Sequence, residues 1–287
     1  MIIAIIAVLL LTVVPASAIT DAEARDFLKN LLSDSENLQS HVHPGELALS
    51  RRLGIQYEDV RNKFMISYGI DDTNAPTLHD ITPLDSDFFL LTVRSGGREY
   101  AYYFENDKLV SPVYYHSRDW MRIESEYFVF CPDDPDGITD YSMKRLDEFV
   151  ESVANTLGIS PAGLGELRKN KLYYFLCGDG DEIQKLTGYQ TRGMYNLAYD
   201  YVISIYRCHF HEIAHLLINY RLKTLPLRTH PFFQEGFAVA VGGRGGRDRS
   251  VIANMGLFLE ETGIAAHTDF LSYEAFTGTD ASIAYAI

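Results

Sequence analysis

Apolar positions recur along this chain at two spacings, one helical and one strand-like, with turn-rich joints between them. Ala24, Phe27, Leu28, Leu31 and Leu32 follow the i, i+3, i+4, i+7 stripe of an amphipathic helix. Phe88 to Val93, Tyr100 to Phe104 and Val110 to Tyr115 read as strands. Ser95-Gly96-Gly97 and Asn106-Asp107 separate them and supply the turns of a meander. Residues 19–118 are therefore expected to form a small α+β module, which carries no catalytic constellation. Beyond a soft boundary near Ser117, Leu146, Phe149, Val150, Val153 and Leu157 mark one face of a helix, and Gly158 suits its C-terminal cap. Ala281 to Ile287 reads as the first two turns of a helix with no stop signal, so the C-terminus is expected to be truncated.

The chemistry concentrates in His211-Glu212-Ile213-Ala214-His215. On a helix, His211 and His215 are four apart and share a face, so two imidazoles can bind one zinc ion while Glu212 serves as general base. Zinc lowers the pKa of a bound water to about 7, making hydroxide available at neutral pH. H-E-x-x-H alone is a weak signal, and its bland reading is a solvated helix face. The largely apolar flanks, Cys208 to Phe210 and Leu216 to Ile218, argue instead that polar residues here sit in a mostly buried element and need partners. Pro226 and Pro231 punctuate a loop after about Leu222, and a second helix opens at Pro231 and closes at Gly242-Gly243. A catalytic zinc keeps one coordination position open and needs a third protein ligand. Glu235, on that second helix, is the candidate. The extended motif ending in a third His fails, because Ile218 and Arg221 stand at its Gly and His positions. An aspartate-liganded version could use Asp280.

With H-E-x-x-H followed by Glu235 in Gln234-Glu235-Gly236-Phe237-Ala238, the chain resembles the gluzincin zinc metallopeptidases, and within them the peptidase-MA-like group. The resemblance covers about Ile123 onward; it is specific at the zinc residues and loose elsewhere. It implies a zincin-like domain over residues 119–287, with its C-terminal part expected to be incomplete, and with a mixed sheet, the motif helix and the Glu helix. The strand, helix and strand before the zinc helix would be Tyr127 to Cys131, about Thr139 to Leu157, and Leu172 to Cys177. It further implies His211, His215 and Glu235 as zinc ligands, Glu212 as base, and Tyr285 as a donor to the tetrahedral oxyanion. Val202 to Tyr206 would be the edge strand that holds an extended substrate; a sheet edge without a ligand is the alternative.

The remaining features set compartment and partners. An apolar run from Ile2 to Val14, then Pro15-Ala16-Ser17-Ala18, reads as a signal peptide over residues 1–18 cleaved after Ala18, although no Lys or Arg precedes the run. The expected location is secreted or periplasmic, with an uncleaved membrane anchor as the alternative. Cys131, Cys177 and Cys208 are an odd set: either Cys131 and Cys177 form a disulfide, or all three are buried thiols. A net charge of −14 argues against nucleic acid and anionic membrane surfaces as partners. His41 and His43 alternate as metal ligands on an extended segment would, or are solvated loop residues. The glycine-rich stretch 242–247 lacks the Lys-Ser/Thr ending of a phosphate loop. Taken together, these features lead to an exported zinc metallopeptidase acting on a peptide or protein substrate. The alternatives are a catalytically silent binding or scaffold protein on the same fold, and zinc hydrolysis of a non-peptide amide.

Overall fold

The structure is a computed structural model that describes residues 19–33, 35–55, 76–223, 230–245 and 247–284. It is α+β, with two separate sheets and two compact units. No helix among the described residues is long and apolar enough to cross a membrane.

The first unit contains residues 19–43 and 76–110. Helices α1 (Asp21–Ser33) and α2 (Ser35–His41) accompany a four-stranded antiparallel meander of β1 (Thr77–Pro83), β2 (Phe88–Ser95), β3 (Arg98–Glu105) and β4 (Lys108–Val110). Phe27 on the apolar stripe of α1 is fully buried, with its ring edge-on to Tyr102 and Phe104 of β3. The third expected strand stops early. Ser111 caps a helix, its Oγ accepting from Tyr114 N at 3.0 Å, and Pro112 at the first helical position has no N–H for a ladder. Residues 112–116 are therefore α4 (Pro112–His116, with α3 being Pro44–Arg51).

The second unit contains residues 44–55 and everything described from 111 on, so the division falls at Val110 and not at 118. Its early segment is tied in by buried polar groups. Glu46 of α3 is buried and accepts from Ser111 N at 2.8 Å. The Arg52 guanidinium donates to the carbonyls of Leu49 (2.7 Å), Lys171 (3.1 Å), Tyr199 (2.5 Å) and Asp200. Burial pulls that guanidinium down to about 10, against the opposing pull of the Asp200 carboxylate.

The sheet of this unit runs β5 (Ile123–Glu124), β6 (Phe128–Pro132), β7 (Leu172–Leu176), β9 (Tyr201–Ser204), β8 (Gly193–Asn196). β6, β7 and β9 are mutually parallel; β5 and β8 are antiparallel edges. Parallel neighbours need crossovers, and here these contain α5 (Asp140–Leu157), α6 (Pro161–Asn170) and α7 (Gly180–Thr187). α5 opens with reciprocal bonds between Thr139 and Ser142. Leu146, Val150 and Val153 of α5 join Phe130 and Tyr174 of the strands and Leu216 of the helix Phe210–Leu222 in one core. Val202 lies in an inner strand, which corrects its expected place at the edge; the edge is β8, a four-residue strand with too few apolar positions to stand out.

Breaking the Arg52 network would leave carbonyls without donors and Asp200 buried without its counter-charge. Arg52→Ala is expected to destabilise the folded chain by about 3–5 kcal/mol, read from urea denaturation; a change within about 0.5 kcal/mol would remove the network from the list of stabilising features.

Candidate metal centre

Two helices build the site. α8 (Phe210–Leu222) carries His211 and His215 on one face, one turn apart, and α9 (Pro231–Gly242) carries Glu235. The apolar residues of α8, among them Ile213, Leu216, Leu217 and Tyr220, are buried against the sheet and α5, which turns the histidine face toward α9. The helices close on each other at the end of α9. A Cβ at Gly242 would fall 2.7 Å from His211 N and from the Phe210 carbonyl carbon, so backbone meets backbone there. Gly243 then adopts φ +70, and its carbonyl lies 3.1 Å from His211 Nδ1.

That carbonyl fixes the chemistry of the ring. A carbonyl only accepts, so Nδ1 carries a proton, and the ring turns its Nε2 toward Glu235. His211 Nε2 lies 3.0 Å from Glu235 Oε2 and 3.2 Å from His215 Nε2, and His215 Nε2 lies 3.4 Å from Glu235 Oε2. The Nε2 atoms of two imidazoles and a carboxylate oxygen converge on one point, an arrangement that a shared cation favours. For metal–ligand bonds of about 2.0–2.1 Å, the edges of a tetrahedron are about 3.3–3.4 Å. The 3.2 and 3.4 Å separations match those edges, and the 3.0 Å contact is slightly shorter. Among the described residues this is the one cluster of three or more His, Cys, Asp or Glu able to hold a metal ion.

Burial works against the Glu235 carboxylate, but hydrogen bonds from His211 and His215 and their positive potential outweigh it and bring the group down to about 2. The cluster thus offers a cation one anion and two nitrogen donors. For His215, burial disfavours the charged form and the Glu235 contact more than offsets it, raising its pKa.

A cleft of about 570 Å³ opens onto the cluster, walled on one side by Gly193, Met194 and Tyr195 of β8 and holding Glu212. Glu212 Oε2 accepts from Tyr195 N at 2.8 Å, so the motif carboxylate is fixed to the edge strand. Tyr195 is fixed in turn, its hydroxyl donating to the buried Asp200 at 2.6 Å. His209 completes this wall. Its Nδ1 lies 2.9 Å from Ser204 Oγ, its N–H donates to Tyr174 Oη, and its Nε2 faces Glu212 Oε1 at 3.8 Å. Burial pulls the imidazole down to about 4 despite Glu212, keeping it neutral.

The structure thus brings His211, Glu212, His215 and Glu235 to one cleft. Asp280 is not in the cluster; its carbonyl starts α12 (Ala281–Ala284, with α10 being Arg249–Glu261 and α11 Tyr273–Gly278). Tyr285 and the segment 1–18 lie outside the described residues. His41 contacts Asn30 at 2.9 Å and His43 faces Glu105 at 3.2 Å, so they share no site. All three cysteines are free. Cys131 is opposite Phe175 in the β6–β7 ladder, which leaves Cys177 about two residues, or about 7 Å, farther along the strand direction. His209 and the Gly243 carbonyl were not singled out from the sequence. A third histidine two places before the motif was a usable signal for the first; nothing in the sequence marked the second.

No family model, curated protein or solved structure matches this chain. Its chemistry therefore rests on the atoms of the site.

A Cβ at Gly193 would fall 2.3 Å from His209 Nδ1 and 3.0 Å from Ser204 Oγ, too close to tolerate without movement. Gly193→Ala is expected to cost about 1–3 kcal/mol by overpacking. In a double-mutant cycle with His209→Ala, most of that cost should disappear. A cost that persists in full without the imidazole would place the clash elsewhere.

Proposed function

We propose that this chain is a zinc-dependent metallopeptidase of the gluzincin type, exported from the cell, whose second unit is a zincin-like catalytic domain. The observation that carries the proposal is the convergence of His211 Nε2, His215 Nε2 and Glu235 Oε2 at 3.0–3.4 Å, with the His211 tautomer fixed by the Gly243 carbonyl. Those three residues would hold the ion. When bound, zinc would supply Lewis acidity to the scissile carbonyl and lower the pKa of the attacking water.

The protein groups then have separate tasks. Glu212, held at Oε2 by Tyr195 N, offers Oε1 to take the proton of the attacking water and pass it to the leaving amine. The neutral His209 beside Oε1 limits the directions that carboxylate can adopt. β8 is a sheet edge along the cleft, where an extended peptide can run beside the backbone. A carboxylate positioned beside an open metal-binding cluster is what favours hydrolysis over a silent scaffold role, because a purely structural metal needs no base.

Glu212→Gln separates the base from the ligands. The amide retains an oxygen that accepts from Tyr195 N but cannot take the proton, so zinc content should match wild type while peptide hydrolysis falls by at least about 10²-fold. Retained hydrolysis with zinc bound would exclude Glu212 as the base. Zinc bound in both forms with no hydrolysis in either would favour the scaffold alternative.

A further inference from the structure

The chain carries 39 Asp and Glu against 25 Lys and Arg, yet four arginines line one cleft of about 650 Å³ in the second unit. Arg145 comes from α5, Arg244 and Arg247 from the turn after α9, and Arg249 from the start of α10. Among the described residues two carboxylates, Asp248 and Glu148, line the same space, and each also has a partner other than an arginine. Asp248 Oδ1 caps α10, accepting from Ser250 N at 2.8 Å and Ser250 Oγ at 2.7 Å, and Glu148 lies 3.8 Å from Lys144.

Two of the guanidinium groups, those of Arg145 and Arg247, are oriented by weaker contacts. Arg145 lies 5.6 Å over the Phe210 ring and donates to the Tyr141 hydroxyl at 3.1 Å, so part of its fork is held against the cleft wall. Arg247 contacts Met255 Sδ at 3.8 Å. Among the described residues no carboxylate oxygen lies within 4.0 Å of a guanidinium nitrogen of Arg145, Arg247 or Arg249. The result is a local positive potential on a chain whose overall charge repels anions.

Position makes this cleft a subsite. His209, His211, Arg244 and Gly245 line both it and the cleft over the metal cluster. A peptide with its reacting bond at the cluster would place a nearby residue among the arginines. Guanidinium pairs with carboxylate through charge-assisted, often bidentate hydrogen bonds. We propose that the arginine-lined cleft is a carboxylate-binding subsite of the metallopeptidase, selecting peptides that carry an acidic side chain or a free C-terminal carboxylate near the cleaved bond. The proposal deepens, and rests on, the reading of the preceding subsection.

The test is a binding measurement that needs no turnover. Full-length Glu212→Gln protein, with zinc added, is titrated by fluorescence anisotropy with four labelled peptides of one length. These carry Gln or Glu at the central position and end in an amide or a free acid. At least one carboxylate-bearing peptide should bind about tenfold tighter than the neutral amide, with the gain shrinking at about 0.5 M salt. A gain from the Glu peptides selects the side chain as ligand; a gain from the free acids selects the terminus. Arg145→Gln combined with Arg249→Gln should abolish the gain, while Lys169→Gln, which removes a charge on α6, should leave it. Equal affinity for all four peptides, no binding at all, or a gain that survives the arginine substitutions would overturn the subsite. Wild-type protein tested for cleavage of the same peptides keeps the two readings apart. A persistent carboxylate gain without cleavage sinks the peptidase and leaves an anion site, and cleavage without preference does the reverse.

Discussion

The site depends on the approach of α9 to the start of α8. Glycine at 242 lets the two backbones meet where any side chain would force them apart, and the turn at Gly243 then places a carbonyl on His211 Nδ1. That single hydrogen bond orients the ring, selects its tautomer and turns Nε2 toward Glu235. The same approach brings Glu235 within 3.0 Å of one imidazole and 3.4 Å of the other. A longer separation between the helices would leave two histidines and a carboxylate as ordinary, partly solvated groups.

A second constraint fixes the opposite wall. Glu212 is bound to the backbone of β8, and β8 is anchored through Tyr195 to Asp200, which lies beside the buried Arg52. Buried charges are expensive, and this pair is tolerated because the guanidinium also satisfies several carbonyls. The polar network thus spans from Arg52, just after α3 and 160 positions earlier in the chain, to the motif carboxylate. His209 fits between β8 and α8 only because residue 193 has no side chain.

The parts that could be read in advance were those with local causes. The α5 helix follows from a stripe of five apolar residues and its caps, and the boundaries of α8 and α9 follow from Leu222, Pro231 and Gly242-Gly243. The H-E-x-x-H spacing and the later glutamate were legible because helical periodicity alone dictates which side chains share a face. The misreadings had non-local or competing causes. Ser111-Pro112 overrode an apolar run that looked like a strand. Which strand forms the edge depends on crossover connections, so nothing in Val202 or its neighbours declared β9 internal. The ladder register that separates Cys131 from Cys177 is likewise a property of two strands and not of either one. The Gly243 carbonyl was invisible because backbone atoms belong to every residue alike.

The central claim is that His211, His215 and Glu235 are shaped to hold one metal ion, and metal stoichiometry on folded protein tests it most directly. Zinc measured by elemental analysis, after equilibration with excess zinc and removal of the unbound ion, is expected at about one per chain. It should fall well below that in His211→Ala and in Glu235→Ala, with circular dichroism showing all three proteins folded. Folded wild-type protein that retains no zinc, or variants that retain as much as wild type, would contradict it.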